Sequence, residues 1–312
     1  MVSHLDQLAL STVSRVIGTL VVEPQPEILD LMASWDSHLP DTLRPSRVVG
    51  LGLNPTELQR NTRLTRQVVH DLNREPRLPF PDDTFDVVLN TVSVDYLTRP
   101  FEVFREVGRV LRPGGLFLVI FSNRMFMPKA VKIWKHTGQD RRIHLVEDFF
   151  HDAEVFDEPV RYVHKGHPRP ADDKYAELGL PSDPIYVVHA SRRGGQLRRP
   201  SLDQELGRPD RAEQAWVERR RAVVGQTLRC PYCDQPLKRW AVPQTPFTEW
   251  DNEFLHICFN DSCPYLVRGW SVMARQGNLS FSYRLTYDRE RNALGTMLVR
   301  NLEQLKENIV ED

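Results

Sequence analysis

Two stretches of the chain decide its fold: LPFPDDTFDVVLN at residues 78–90 and RVLRPGGLFLVIF at residues 109–121. In the first, Pro and Asp residues mark a loop, and the apolar run FDVVLN that follows favours a buried strand. In the second, Arg-Pro-Gly-Gly ends a helical pattern at residues 101–111, and LFLVIF is again strand-like. A strand, a helix and a second strand in this order predict a parallel pair with a helical crossover.

Similar patterns extend this unit in both directions. An amphipathic pattern predicts a helix at residues 4–20, and short apolar runs predict further strands at 28–32, 47–53, 67–70, 159–164 and 184–191. We therefore predict an α/β domain over residues 1–191. An Arg-, Gly- and Pro-rich change of composition predicts a linker with a short helix over 192–224, followed by a second domain over 225–312 with an acidic tail.

A combination of three motifs resembles a known family. DLN at 71–73, LPFPDDTFDVV at 78–88 and RVLRPGG at 109–115 are together similar to the class I methyltransferases that use S-adenosylmethionine, in particular the type 11 branch. The resemblance covers about residues 25–191. It implies a Rossmann-like, seven-stranded, mostly parallel sheet, S-adenosylmethionine as the cofactor, and methyl transfer to an acceptor that the sequence does not identify.

The resemblance also implies cofactor-binding positions, and two of them depart from the family. The first strand of the family ends in an acid and a glycine-rich turn, whereas ILDLMASWD at 28–36 keeps the acid without the glycines. The ribose-binding carboxylate of the second strand matches Gly52, while Asp71 matches the acid that accepts the adenine amino group. The residues predicted to bind the cofactor are Asp30, Met32, Ser34, Trp35, Asn54, Asp71, Leu72 and Asn90.

These departures leave three interpretations open: an unusual but functional S-adenosylmethionine site, a degenerate site on a non-catalytic scaffold, or a site for another adenosyl ligand. A substitution at Gly52 tests whether the pocket is conventional apart from the missing carboxylate or holds its ligand by other contacts. If the pocket is otherwise ordinary, Gly52→Asp should tighten binding of the ligand through charge-assisted hydrogen bonds worth about 1.5–3 kcal/mol gross. If another side chain such as Trp35 fills that space, the same substitution should strain the turn.

No catalytic residue is assigned from the sequence, although several polar side chains are candidates. Ligands of open α/β sheets bind beyond the carboxyl ends of the strands. The candidates there, each of which also fits an ordinary structural role, are Asn90, Ser93, Asp95 and Tyr96 after the fourth strand and Ser122, Asn123 and Arg124 after the fifth. His38 and His144 are candidate bases with the same alternative.

The four cysteines of the chain all lie in one short region. Cys230 and Cys233 form a C-x2-C pair, and Cys258 and Cys263 form a C-x4-C pair 24 residues later. Two such pairs supply the four thiolates of a closed tetrahedral zinc site. The region 228–275 resembles the Ogr/Delta-like zinc fingers, and this resemblance implies contact with nucleic acid or protein. Because Glu249, Asp251 and Glu253 disfavour phosphate contact, we favour a structural or protein-binding zinc ribbon, and nucleic-acid binding is the alternative.

The composition of the whole chain excludes some classes of protein. Lys and Arg total 41 against 42 Asp and Glu, and a net charge of -1 excludes a bulk polyanion binder. The nine Arg and five acids between 192 and 221 fit either a solvated hinge or a nucleic-acid contact strip. We find no apolar run near the ~18 residues that span a bilayer and no basic, apolar leader pattern, so we expect a cytoplasmic protein without a membrane anchor.

Overall fold

The computed structural model describes residues 5–126, 129–169, 181–206, 222–244, 252–275 and 279–310. The described chain forms two compact units. The first contains residues 5–166 and 181–206, and the second contains residues 167–169 and those from 222 onward. No helix in these ranges is long and apolar enough to cross a membrane.

The first unit is built on a seven-stranded sheet. Its strands are Glu27–Leu31 (β1), Arg47–Gly52 (β2), Arg66–Val69 (β3), Phe85–Thr91 (β4), Leu111–Ser122 (β5), Val160–His164 (β6) and Ile185–Ser191 (β7). The strand order is β3-β2-β1-β4-β5-β7-β6. Strands β1 to β5 pair in parallel, and β7 runs antiparallel to both of its neighbours. This arrangement confirms the predicted Rossmann-like, seven-stranded, mostly parallel sheet.

Helices cover both faces of this sheet. They are Gln7–Leu20 (α1), Pro55–Arg60 (α2), Pro100–Val110 (α3), Lys132–His136 (α4), Gln139–Ala153 (α5) and Leu202–Glu205 (α6). Ile17 of α1 belongs to one hydrophobic core with Leu118 of β5, whereas Phe104 of α3 and Phe150 of α5 belong to the core on the other face. Because both faces are buried, the central strands are continuous apolar runs, which is the pattern that predicted them.

The connection between β1 and β2 is unusual because it contains no helix. Residues 32–46, which we call the first crossover loop, are turns and irregular backbone. Parallel neighbours are normally joined by a helical crossover. Met32 begins the loop with φ of 61° and His38 has φ of 54°, both in the left-handed region that non-glycine residues seldom adopt. The loop therefore needs tertiary contacts to hold its shape.

The segment after β7 packs on the first unit rather than forming the solvated hinge that its composition suggested. Gly195 lies so close to Gly114 that a Cβ on Gly195 would be 2.2 Å from the Gly114 Cα. Arg199 is buried and donates to Glu23 at 2.7 Å and to the Leu20 carbonyl at 2.6 Å. The Arg excess over residues 192–206 is thus partly used in internal ion pairs. Most of the predicted linker helix lies outside the described residues, and residues 222–227 are helical.

The second unit contains a four-stranded antiparallel sheet and one longer helix. The strands are Lys238–Ala241 (β8), Phe254–Ile257 (β9), Ser282–Asp288 (β10) and Ala293–Val299 (β11), in the order β11-β10-β9-β8, and the helix is Pro264–Arg275 (α7). Cys230, Cys258 and Cys263 belong to its core together with Leu285 and Val299. The cysteines are therefore part of the interior of this unit.

The sequence of the acidic tail, residues 301–312, predicts a short surface helix, but the described part of the tail, residues 301–310, does not form one. It contains a single 3-10 turn at Lys306–Asn308, and Ile309 forms an isolated bridge with Trp240. The indole N–H of Trp240 also donates to the Leu305 carbonyl at 2.8 Å. These contacts hold the described part of the tail against β8, and this pairing replaces helix formation.

Candidate functional site

The carboxyl end of β1 is closed by a buried hydrogen-bond network. Ser37 of the first crossover loop donates to Asp30 at 2.6 Å, and Asn61 donates to the Ser37 hydroxyl at 2.9 Å and to the Ser34 carbonyl at 3.0 Å. Burial raises the pKa of Asp30 to about 6, although the bond from Ser37 opposes that shift. Asp30, Ser37 and Asn61 are each at most 4% exposed. The network explains why this loop is ordered without a helix.

The carboxyl end of β2 is covered by backbone of the same loop. Ala33 donates its N–H to the Leu51 carbonyl at 2.8 Å. A Cβ at Gly52 would lie 2.3 Å from the Ala33 carbonyl oxygen, a distance that real Cβ atoms essentially never show. The prediction that Gly52→Asp tightens ligand binding is therefore wrong, because an Asp side chain has no room at this position. The space is filled as the alternative proposed, but by Ala33 backbone and not by Trp35.

One acid that the sequence analysis missed lies beside this position. Glu57 accepts a hydrogen bond from the Ser34 hydroxyl at 2.5 Å and another from the Asn54 side-chain amide at 2.9 Å. Asn54 in turn caps α2 by accepting from the N–H groups of Thr56 and Glu57. The spacing Asn54-x-x-Glu57 is a capping-box pattern that could have identified Glu57. The fold thus brings a carboxylate to the junction between the loop and the end of β2.

The carboxyl end of β3 carries the predicted adenine contact. Asp71 uses one carboxylate oxygen to accept from the Asn73 N–H at 3.0 Å, and the side chain is half-buried. Leu72 is buried beside it, whereas Leu53 and Val69 are each 60% exposed at the ends of β2 and β3. A charged acceptor next to exposed apolar side chains is a suitable environment for a flat, hydrogen-bonding ring.

Unsatisfied polar atoms cluster after β4. Asn90 donates to the Leu31 carbonyl at 3.5 Å, but its side-chain oxygen has no hydrogen-bond partner among the described residues. The same holds for the hydroxyls of Thr91 and Ser93 and for one carboxylate oxygen of Asp95. Buried polar atoms of this kind normally have a partner in protein, water or ligand. Four of them within six residues of chain mark this end of β4 as the strongest candidate for ligand contact.

Asp95 is the charged member of that cluster. Burial raises its pKa to about 7, opposed by hydrogen bonds from its own backbone and Tyr96 and by the charge of Arg142. Arg142 of α5 is itself buried, and this burial lowers its pKa. The backbone carbonyl of Asp95 accepts from the Val131 N–H at 2.9 Å, which fixes the segment in place. Asp95 is thus a carboxyl group that changes charge near neutral pH.

The remaining candidates from the sequence lie in less promising surroundings. Arg124 donates to the buried Asp183 at 2.9 Å, so its guanidinium is used in an ion pair. His38 pairs with Asp36 at 3.1 Å, and His144 pairs with Glu147 at 2.9 Å on the exposed face of α5. Met32 packs against the hydrophobic core. Trp35 and Tyr96 are half-buried, Ser122 is buried and Asn123 is exposed. The fold brings Asp30, Asn90 and Asp95 to one edge of the sheet.

The four cysteines form the second candidate site. Their Sγ atoms all lie within 4.8 Å of one another, with 3.9 Å between Cys230 and Cys263 and 3.6 Å between Cys233 and Cys258. A tetrahedron with zinc–sulfur bonds of about 2.3 Å has sulfur–sulfur edges of about 3.8 Å. Bonds to Cys230 and Cys263, together with burial, raise the pKa of Cys258. Thiols this close cannot all ionise without a compensating cation.

Hydrogen bonds and ion pairs in the two turns that carry the cysteines hold these turns in position. The first pair lies on a tight turn in which Asp234, with φ of 54°, donates its N–H to the Cys230 carbonyl at 2.8 Å. In the second pair, Asp261 accepts from the buried Arg284 at 2.5 Å and from Lys306 at 2.9 Å. The two turns are therefore positioned by contacts that do not use the sulfur atoms.

Comparison with known proteins finds matches for the central part of the first unit. Residues 34–119 match the methyltransferase domain family. The chain is 42% identical over 87 residues to the fatty-acid O-methyltransferase of Mycolicibacterium smegmatis, covering 26% of this chain and 31% of that protein. It is 34% identical over 130 residues to the glycine/sarcosine/dimethylglycine N-methyltransferase of Actinopolyspora halophila, covering 39% and 22%. The chain thus spans less than a third of the length of these relatives.

One of the solved structures that match is that of the complex between the Haloferax volcanii Trm112 methyltransferase activator and a methyltransferase. It is 19% identical to this chain with a TM-score of 0.45, and the match covers 61% of this chain and 92% of the other.

Proposed function

We propose that the first unit binds S-adenosylmethionine and transfers its methyl group to an acceptor molecule. The observation that carries this proposal is the set of unpartnered polar atoms after β4, at the carboxyl edge of a sheet with this strand order. The match of residues 34–119 to the methyltransferase domain family supports it. The O- and N-methyltransferase relatives together leave the acceptor atom open.

The residues at the carboxyl edge fit an adenosyl group, with one replacement. Asp71 accepts the adenine amino group and Leu72 offers its backbone N–H to the ring. Because Ala33 fills the space beside Gly52, we assign the ribose hydroxyls to Glu57, whose carboxylate already faces Ser34 and Asn54. Each oxygen of Glu57 that accepts one of these bonds keeps lone-pair capacity for a ligand hydroxyl. Asp30, Met32, Ser34, Trp35, Asn54 and Asn90 stay predicted contacts.

The bound cofactor supplies a methyl group on a positively charged sulfur. Within the chain, we assign Asp95 to the acceptor side, because its unpartnered carboxylate oxygen follows β4 and its pKa lies near 7. An O–H or N–H acceptor must lose a proton when it is methylated, and that proton would pass to Asp95. The remaining rate enhancement comes from holding the cofactor and the acceptor in position at the carboxyl edge of the sheet.

A thermal-shift series tests the proposed function. S-Adenosylhomocysteine, the product form of the cofactor, at about 100 times its Kd should stabilise the first unit by about 2.7 kcal/mol. Adenine alone and homocysteine alone, at the same concentration, are the matched controls and should shift the melting temperature less. Equal shifts by all three compounds, or no shift by any, would contradict the proposal.

A second candidate function is a non-catalytic scaffold with the same fold. The specific observation in its favour is that Ala33 and Gly52 leave no room for a carboxylate at the end of β2. In that case Asp30, Ser37 and Asn61 serve only to close the sheet edge. The thermal-shift series separates the two candidates, because a scaffold predicts no response to S-adenosylhomocysteine.

We also propose that the second unit binds one structural zinc ion through Cys230, Cys233, Cys258 and Cys263. The sulfur–sulfur distances of 3.9 and 3.6 Å support it, since they are close to the edge of a zinc–thiolate tetrahedron. Free thiolates of this kind persist in a reducing compartment, which fits the cytoplasmic location expected from the sequence. The resemblance to Ogr/Delta-like fingers leaves a protein partner or a nucleic acid as possible contacts of the ribbon.

Metal analysis tests the zinc proposal. We expect about one zinc per chain, and Cys258→Ser should lose most of it because three ligands no longer close the site. Proteolysis of this variant should remove residues beyond about 225 and spare the first unit. The control is Ser262→Ala, which alters the same turn without a ligand. Stoichiometric iron, or full zinc retention in Cys258→Ser, would contradict the proposal.

A further inference from the structure

A cavity of about 740 Å³ adjoins the segment that carries Asp95. Its apolar lining includes Val94 and Leu97 before α3 and Phe101 at the start of α3. Trp134 of α4 and Phe149 of α5 also line it, and the rings of Phe149 and Phe101 are in edge-to-face contact at 5.1 Å. Small-molecule sites in proteins have volumes of about 300–1,000 Å³ and mostly apolar walls. The cavity therefore has the size and lining of a ligand site, and neither the cofactor residues nor the zinc ligands belong to it.

The rim of this cavity is positively charged. Lys129, Lys132 and Arg99 lie among its lining residues, together with a single acid, Glu102. Arg99 and Glu102 form an ion pair at 2.5 Å, so these two charges compensate each other. Neither Lys129 nor Lys132 forms an ion pair with any residue in the described ranges, and both are exposed. Two uncompensated ammonium groups thus stand at the mouth of an apolar pocket.

We infer that this cavity binds an amphipathic organic anion, with an alkyl or aryl body against the apolar walls and an acidic group at Lys129 and Lys132. The apolar walls supply binding free energy in proportion to the area they remove from water. The two ammonium groups favour a carboxylate, sulfonate or phosphate over a neutral or cationic head. A polar, uncharged metabolite would leave both the walls and the lysines without a partner.

The position of the cavity makes an anion of this kind that also carries an O–H or N–H group near Asp95 the acceptor in the proposed methyl transfer: the oxygen or nitrogen takes the methyl group from the cofactor sulfur, and its proton passes to Asp95. This assignment rests on the proposed function. Val94 and Leu97 flank Asp95 in the chain, and Val131, another lining residue, donates to the Asp95 carbonyl. A ligand in this cavity therefore lies against the one segment that supplies the candidate proton acceptor. The binding site itself does not depend on the proposed function.

A series of head groups on one chain length tests the inference on the full-length protein. Decanoate, decan-1-ol and decylammonium share a ten-carbon body and differ in charge, and their binding is measured by calorimetry below their aggregation limits. We expect saturable binding of decanoate about tenfold tighter than decan-1-ol, with decylammonium the weakest. Equal affinities of decanoate and decan-1-ol, or no saturable binding, would overturn the inference.

Variants locate the binding within the cavity. Lys129→Gln with Lys132→Gln should remove the roughly tenfold preference for decanoate while leaving decan-1-ol unchanged. Lys135→Gln is the matched control, since Lys135 lies on the same helix as Lys132 and outside the cavity lining. Leu145→Trp, which fills the cavity, should weaken both ligands at least tenfold. Unchanged binding in both cavity variants would place the ligand elsewhere and overturn the inference.

A parallel titration with S-adenosylhomocysteine separates this inference from the proposed function. If decanoate binds as expected and S-adenosylhomocysteine does not, the cavity stands as an anion site and the methyl-transfer function fails. If S-adenosylhomocysteine binds and decanoate does not, the inference about the cavity fails and the proposed function stands.

Discussion

The two halves of the carboxyl edge of the sheet differ in whether their buried polar groups have hydrogen-bond partners. We call the half beyond β1 and β2 the closed half and the half at the end of β4 the open half. Beyond β1 and β2, buried polar groups of the first crossover loop and its neighbours satisfy one another, since Ser37 donates to Asp30 and Asn61 donates to Ser37. Beyond β4, Asn90 and Asp95 are equally buried but keep side-chain oxygens without partners. Self-satisfied polar groups stabilise a fold, whereas unpaired ones cost about 1–3 kcal/mol each. From this difference we infer that the network beyond β1 and β2 stabilises the fold, whereas the polar atoms around the end of β4 are available to a ligand.

This comparison also changes where the cofactor contacts are expected. In the family that the chain resembles, the turn after β1 and the acid after β2 are contact points. Here Ala33 covers Gly52, and the carboxylate available at this place is on Glu57. The cofactor contacts proposed for this chain therefore move toward β3 and β4, with Glu57 as the link to the closed half.

The largest expected effect comes from forcing a side chain into the closed half. Gly52→Asp places a Cβ 2.3 Å from the Ala33 carbonyl oxygen, so the loop must shift. We expect a loss of about 3 kcal/mol or more in stability, of the order that overpacking a core costs. Thermal or urea unfolding measures it. Leu53→Asp is the control, because that position is 60% exposed and an acid there has room. Equal stability of the two variants would show that the loop does not cover Gly52.

The next largest loss of stability is expected from removing the side chain of Asn61, which is at the centre of the hydrogen-bond network in the closed half. Asn61→Ala deletes donors to Ser37 and to the Ser34 carbonyl, and it leaves the half-buried Arg63 N–H without the Asn61 side-chain oxygen at 3.1 Å. We expect a loss of about 2–3 kcal/mol in the free energy of unfolding. Asn123→Ala, at an exposed position, is the matched control. A loss below about 0.5 kcal/mol would mean that the loop is not held by this network.

In the open half, we expect a substitution to raise stability instead of lowering it, because the ionised carboxylate of Asp95 is unfavourable in the folded state. Burial raises the pKa of Asp95 to about 7, so the folded state holds this proton more tightly than the unfolded chain does. The stability that the proton supplies is fully present below the unfolded pKa, near 4, and is lost as pH rises through 7. Asp30, whose pKa is raised to about 6, acts in the same direction.

Asp95→Asn therefore should gain stability relative to the parent protein as pH rises. Between pH 5 and pH 7 the gain should be about 2 kcal/mol, which is less than the roughly 2.7 kcal/mol of two full pH units at 1.36 kcal/mol per unit, because a group with a pKa near 7 is already half ionised at pH 7. Unfolding at pH 5 and at pH 8 measures the gain, and Asp148→Asn on the exposed side of α5 is the control. A constant difference between variant and parent across this range would show that Asp95 titrates normally.

The smallest expected effect concerns the link between the two halves. Glu57→Gln should weaken binding of adenosine by about tenfold, which corresponds to about 1.4 kcal/mol, because the amide is a poorer acceptor for ribose hydroxyls. Binding of 2′,3′-dideoxyadenosine, which lacks those hydroxyls, should not change. If the substitution weakens both ligands equally, Glu57 supports the loop and does not touch the ribose.

The sequence predicted the elements whose pattern is local. Apolar runs and the Arg-Pro-Gly-Gly helix stop located β4, α3 and β5, and cysteine spacing identified a cluster that the fold assembles. The first crossover loop was not predicted, because its order depends on Asn61, which is 24 residues from Ser37 along the chain. The cavity also escaped prediction, since its walls come from segments on α3, α4 and α5 that meet only in the fold.

Calorimetric titration of the full-length protein with S-adenosylhomocysteine tests the central claim most directly. We predict one site per chain with a Kd in the micromolar range, about -8 kcal/mol. Asp71→Ala should weaken it by roughly 1–3 kcal/mol, the cost of losing the charged partner of the adenine amino group, and Glu75→Gln on the same turn should not. Absence of saturable binding to the parent protein, or equal affinity in Asp71→Ala, would contradict the claim that this sheet edge is an adenosyl site.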